Sequence, residues 1–151
     1  MLFRSFQRMT DVHDIKTRSY NMSRIRGKNT QPELIVRKFL FSKGLRYKLH
    51  DNNLPGKPDI VLPRYKKIIL IHGCFWHGHE GCRYFVIPKT RTEWWVSKIR
   101  RNKETDLKTI DALQKMGWSI KIIWECELNS PVKERTLNET FEFITIENSG
   151  N

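Results

Sequence analysis

Apolar residues at Leu34, Ile35, Val36, Phe39 and Leu40 recur three and four apart, a helical stripe. It is opened by Thr30-Gln31-Pro32-Glu33, which has the spacing of a capping box with Pro in the first turn, and it stops at Gly44. Residues 45–50, 58–62 and 67–72 then read as short strands separated by Gly, Pro and Asn turn signals, the last two forming a hairpin around residues 63–66. From His72 to Tyr84 periodicity disappears. Thr90-Arg91-Thr92-Glu93 is a second candidate capping box, opening a long helix that runs to Met116 and ends at Gly117. Its stripe is Trp95, Ile99, Ile110 and Leu113, interrupted at helical spacing by Asn102 and Asp106. Residues 119–124 form an apolar run of strand length, and Leu137, Phe141 and Ile144 mark a last amphipathic helix. The order helix, three strands, helix, strand, helix predicts an α/β sandwich around a small mixed sheet.

Composition narrows the class. A chain of 151 residues, 38% hydrophobic and 11% aromatic, is too apolar for a disordered tail, and at that length about 68–70% of the unfolded surface can be buried in one domain. No apolar run approaches the roughly 20 residues of a membrane span, so a membrane partner is not expected. The net charge of +12 favours a polyanion. It is uneven: residues 1–50 carry 12 basic and 3 acidic groups, whereas residues 101–151 carry 7 and 9. A phosphate-facing surface is therefore expected in the N-terminal half, with Arg18, Arg24, Arg26 and Lys28 as candidates, although a charge run is usually a solvated face. Residues 1–8 lack the apolar core of a secretory signal and read as a leader or as the product of an upstream start, with Met9 the alternative initiator. Three cysteines cannot all pair within the chain, which points to a reducing compartment.

The aperiodic segment contains Cys74-Phe75-Trp76-His77-Gly78-His79-Glu80-Gly81-Cys82, and Cys126 lies far along the chain. Three Cys and one His make a full tetrahedral zinc set, with either His77 or His79 as the fourth ligand. Inert buried thiols are the bland alternative. Phe75 and Trp76 on such a loop either pack inward or wedge between nucleic-acid bases. Asp59, at the start of a buried strand, is costly there unless paired or bound to a cation, and Mg²⁺ suits it; a turn-capping Asp is the plainer reading. The capping box accounts for Glu33, whereas Asn102 and Asp106 on the apolar stripe need another explanation.

Together these segments resemble one family. Asp11-Val12-His13-Asp14, Thr17-Arg18-Ser19, Asn21-Met22, Leu54-Pro55-Gly56-Lys57-Pro58-Asp59, His72-Gly73-Cys74-Phe75-Trp76-His77, Thr90-Arg91-Thr92-Glu93 and Ile123-Trp124-Glu125-Cys126 are similar, in that order, to motifs of the very-short-patch repair (Vsr) endonucleases. The resemblance runs from about Met9 to Cys126; the segment from His77 to Cys82 is one residue longer and poorer in His than the family pattern.

The resemblance implies a restriction-endonuclease-like fold with a structural zinc, occupying residues 9–151 as a single endonuclease domain. It implies Mg²⁺-dependent nicking, with one or two ions, on the 5′ side of the thymine in a T:G mismatch left by deamination of 5-methylcytosine. Asp59 and the backbone carbonyl of Ile71, where the family usually has Thr, would hold Mg²⁺. His77 would be the base, and His72, Glu33, Asn102 and Asp106 would order water and phosphate. Zinc would fall to Cys74, His79, Cys82 and Cys126. Phe75, Trp76 and Trp95 would enter the major groove, and Met22 and Ile25 the minor groove. The implied partner is mismatched double-stranded DNA bound by a monomer in the cytoplasm at the nucleoid, with mismatch-repair proteins and a repair polymerase as collaborators. The competing expectations are a non-catalytic zinc-dependent nucleic-acid-binding protein and a nicking endonuclease of the same fold with another specificity.

Overall fold

The computed structural model describes residues 29–129 and 131–147. Its elements are α1 (Gln31–Ser42), β1 (Lys48–Leu49), β2 (Ile60–Leu62), β3 (Lys67–His72), α2 (Thr92–Lys115), β4 (Ser119–Trp124), a 3₁₀ turn (Glu125–Leu128) and α3 (Lys133–Thr145). The four strands form one sheet in the order β1-β2-β3-β4. β2 is antiparallel to both of its neighbours, β1 and β3, and β4 runs parallel to β3. A mixed α/β architecture is thus present among the described residues, in the element order that the hydrophobic pattern predicts.

The sheet is covered on both faces. Ile60, Leu62, Ile69 and Ile123 point to one side, where Val36 and Leu40 of α1 and Leu137 and Ile144 of α3 close over them. Val61, Ile68 and Leu70 point to the other side, against Leu113 of α2, with Ile120 and Ile122 beside them. Burial on both faces explains why β3 is a continuous apolar run rather than an alternating one.

Several boundaries differ from the sequence expectation. The strand expected at 45–50 shrinks to Lys48–Leu49, and at its end His50 turns the chain away at a left-handed φ of 46°. The one expected at 58–62 starts two residues late, at Ile60. The hairpin forms: Lys66, at φ 58°, closes a turn in which its N–H donates to the Pro63 carbonyl at 3.2 Å. Thr30 caps α1, its Oγ1 accepting the Glu33 N–H at 3.5 Å, and Gly44 at φ 79° lets the chain leave the helix. The reciprocal half of that box does not form as expected, since the Glu33 carboxylate is held elsewhere.

The second capping box fails. The N-cap of α2 is Arg91, at φ 56° and without a side-chain cap bond. Thr92 sits inside the first turn, and its hydroxyl reaches back to the carbonyls of Pro88 and Lys89, each at 2.9 Å. Arg91's left-handed backbone shifts the helix start and removes the register that the box requires.

Candidate active site and metal centre

β3 and β4 run parallel with His72 opposite Trp124, so the residues following each strand emerge side by side at one edge. That register brings Cys126 to Cys74 across the length of α2. Glu125 fastens the junction, its Oε1 accepting the Cys74 N–H at 3.0 Å. The loop after β3 then folds back on itself: the N–H of His79 donates to the Cys74 carbonyl at 2.9 Å, and that of Cys82 to the His79 carbonyl at 3.3 Å. Gly78 permits this course, with φ 64° and with only 2.4 Å between the place of a Cβ and Lys103 Cε.

The ligand atoms of Cys74, His79, Cys82 and Cys126 all lie within 4.8 Å of one another. A zinc ion with bonds of about 2.3 Å to sulfur and about 2.0 Å to nitrogen places two such ligands about 3.5 Å apart, and Cys126 Sγ stands 3.5 Å from His79 Nδ1. Three thiols and one imidazole suit zinc. The His79 ring lies flat on Trp124, with centroids 4.1 Å apart. Burial pushes the Cys74 and Cys126 thiols up, so metal binding there must displace protons. The fold thereby separates the two histidines that spacing leaves equivalent: His79 joins the cysteines and His77 does not.

His77 faces α2. Its Nδ1 lies 2.6 Å from Asp106 Oδ2, an oxygen that only accepts when ionised, so Nδ1 carries the hydrogen of that bond. The His72 ring stacks on it, with centroids 3.8 Å apart and planes 7° from parallel. Burial, reinforced by the His77 charge and opposed by Asp106, lowers His72 to about 4, so it is neutral near pH 7. Asn102 Nδ2 donates to the Trp76 carbonyl at 2.8 Å and so braces the loop from α2. Both polar interruptions of the α2 stripe are therefore points where the helix grips this loop.

Asp59 stands just before β2, and its Oδ2 accepts the Ile71 N–H at 2.8 Å. Burial raises its carboxyl to about 6; that N–H opposes the rise, the Glu33 charge adds to it, and the charges of His50 and His77 oppose it. No Lys or Arg pairs with Asp59 among the described residues, although Glu33 and His50 have ligand atoms within 4.8 Å. A buried carboxylate without a cation beside a second carboxylate fits a divalent ion bound through oxygen. Glu33 is buried, and its Oε2 accepts from Arg37 Nη2 at 2.8 Å and from the Asn29 N–H at 3.0 Å.

The three aromatics form one cluster. Phe75 and Trp95 are buried, and Trp76 is partly exposed against them, 5.4 Å from Phe75 and 6.1 Å from Trp95 between centroids. Trp94, at the surface, lies under the Arg91 guanidinium, 4.9 Å from its ring centre. Arg18, Met22, Arg24, Ile25, Arg26 and Lys28 lie outside the described residues.

The sequence reading missed three members of the site. His50 was read only as the end of a strand, and Arg37 and Glu125 had no assigned role. The end of an expected strand, a turn of helix after Glu33 and a neighbour of Cys126 are their local signals, and none announces chemistry.

The family profile described as DNA mismatch endonuclease Vsr matches residues 10–83. The DNA mismatch endonuclease Vsr of Escherichia coli K12 is 43% identical over 136 residues, covering 89% of this chain and 86% of the other. The chain belongs to the Vsr family. The type II nicking enzyme V.NmeAIP of Neisseria meningitidis is 47% identical over 131 residues, covering 86% and 93%, and V.XorIIP of Xanthomonas oryzae is 46% identical over 121, covering 80% and 88%. This Vsr-family protein is a DNA strand-nicking endonuclease, which removes the alternative of a non-catalytic binding protein. No helix of the described residues is long and apolar enough to cross a membrane.

Proposed function

We propose that this enzyme nicks DNA on the 5′ side of the thymine in a T:G mismatch arising from 5-methylcytosine deamination, in a restriction-endonuclease-like fold. The supporting observation is a pair of side-chain groups, Asp59 with Glu33 and His50, and His77 with His72 and Asp106, in a chain that also carries a Cys₃His set and is 43% identical to the E. coli mismatch enzyme. Asp59 and the Ile71 carbonyl would hold Mg²⁺, which supplies charge neutralisation at the scissile phosphate and the leaving 3′ oxygen.

The chain's own groups supply the rest. Asp106 fixes the His77 ring with Nε2 as acceptor, so that His77 takes the proton of the attacking water. His72, neutral and stacked on His77, limits the ring's rotation and orders water with Glu33. Asn102 keeps the loop in place through the Trp76 carbonyl. Trp76 leads the aromatic wedge, with Phe75 and Trp95 packed behind it. Met22 and Ile25 enter the opposite groove, and Arg18, Arg24, Arg26 and Lys28 hold phosphate. A mismatched step costs less to unstack, so wedging favours damaged DNA.

The type II nicking enzymes among the relatives favour a second reading, in which the flanking sequence differs. Nicking assays on T:G and matched duplexes, with several flanking sequences and with or without Mg²⁺, test both. Cleavage that ignores the mismatch would overturn the first.

A further inference from the structure

His50 has no part in the chemistry assigned to Asp59 and His77, yet it touches both carboxylate residues. Its N–H donates to the Asp59 carbonyl oxygen at 3.2 Å, and its Nε2 lies 3.0 Å from Glu33 Oε2. A carboxylate oxygen only accepts, so Nε2 carries the hydrogen of that bond. No other described residue hydrogen-bonds to both Asp59 and Glu33.

The consequence lies in how Glu33 is shared out. Oε2 receives three donors, from Arg37 Nη2 at 2.8 Å, the Asn29 N–H at 3.0 Å and His50 Nε2 at 3.0 Å. Three donors, one of them a guanidinium, leave that oxygen no capacity for a cation. Oε1 accepts from none of the described residues, although Glu33 is only 2% exposed. Two of the three clamps come from α1 or its entry and fix Glu33 to its own helix. His50 is the one that ties it to the strand edge carrying Asp59.

We propose that His50 is a positioning residue: through its backbone bond to Asp59 and its ring bond to Glu33, it sets the distance between the two carboxylates and keeps Glu33 Oε1 available to water. The backbone contact is the last bond of the β1–β2 ladder, and the left-handed φ of 46° serves the ring contact, because an extended residue there would continue β1 instead of turning its ring to α1. This rests on Asp59 as the cation ligand of the nicking site.

The test uses the full zinc-loaded chain and the variants His50→Leu, His50→Gln and Asp59→Ala. Single-turnover nicking is measured across an Mg²⁺ series, Mn²⁺ binding by calorimetry, duplex binding without a divalent ion, and thermal melting. His50→Leu should lose about 10- to 100-fold in nicking rate or Mg²⁺ half-saturation, the usual cost of an outer-shell partner. It should weaken Mn²⁺ binding in proportion, while duplex affinity and melting stay near wild type. His50→Gln, which retains an N–H donor, should recover most of the loss. Wild-type nicking and Mn²⁺ binding in His50→Leu, or equal impairment in Leu and Gln, would overturn the role. If Leu lowers the melting temperature, His50→Asn, whose shorter amide falls short of Glu33, replaces it in the contrast with Gln. An active Asp59→Ala would sink the reading of the site itself, whereas an inactive one beside a wild-type His50→Leu would sink only the role of His50.

Discussion

The Cys₃His set and the carboxylate–histidine set lie at the same edge of one sheet, yet they are built in opposite ways. Three of the four zinc-type ligands sit on a loop without helix or strand, and the fourth follows β4. The groups proposed for the chemistry stand on or beside regular elements: Glu33 on α1, Asp59 before β2, His72 on β3 and Asp106 on α2. Protein hydrogen bonds already fix these groups, including Ile71 to Asp59, Arg37 to Glu33 and Asp106 to His77. On the proposed reading an ion would hold the chain at the first site, whereas protein hydrogen bonds already hold the groups of the second. His77 belongs to both, because its backbone lies in the loop that carries Cys74, His79 and Cys82 while its ring is held by α2.

The contrast predicts distinct failures. Asp59→Ala should reduce Mg²⁺-dependent nicking by about a thousandfold or more while melting is not lowered, as expected when a cation worth several kcal/mol at the transition state is lost. Cys126→Ala should lose zinc and about 10 °C or more of melting temperature, with nicking falling because the His77 loop loosens. A zinc-replete Cys126→Ala of normal stability would show that the loop does not depend on the ion. Asp106→Asn should keep zinc and stability but lose about a hundredfold in nicking, since the His77 tautomer is no longer imposed; full activity would remove the His77–Asp106 pair from the chemistry.

A smaller effect concerns stability and pH. Asp59 is raised from 3.8 to about 6, so its ionised form opposes folding. Well below pH 3.8 the group is protonated whether folded or unfolded, and the wild-type protein incurs no cost; the cost accrues between 3.8 and about 6. As pH rises through 6 the advantage of the protonated form is lost, and metal-free Asp59→Asn should exceed metal-free wild type by about 3 kcal/mol, constant above that. Melting curves of both proteins between pH 4 and 8 check the sign, and a difference that shrinks as pH rises would contradict it. Gly78→Ala is the mildest change, with an expected cost of about 1–2 kcal/mol from a left-handed φ of 64° and from contact with Lys103 and Ile99. Chemical denaturation measures it, and a stabilised variant would show that the loop's course is not constrained there.

The elements most legible in the sequence were those with local causes. Thr30, Pro32 and Gly44 mark α1 because capping and chain reversal depend on a few neighbouring residues. The hairpin of β2 and β3 was legible for the same reason. Thr90-Arg91-Thr92-Glu93 carries equally good local signals, yet α2 begins elsewhere because of the backbone at Arg91. Glu33 shows the converse error. Its capping role seemed a sufficient explanation, but His50, 17 residues along the chain, claims its side chain.

What the sequence determined by itself was therefore the order of elements, the family resemblance and the inventory of ligands, since these depend on residue types and near neighbours. Which histidine faces the cysteines, why Cys126 reaches Cys74, how Phe75 and Trp95 pack and which group links Glu33 to Asp59 were decided only by tertiary structure. The physical reason is the parallel pairing of β3 with β4 and the packing of α1 and α2 over the sheet. These place residues far apart in the chain within hydrogen-bond reach, a distance that no local pattern encodes.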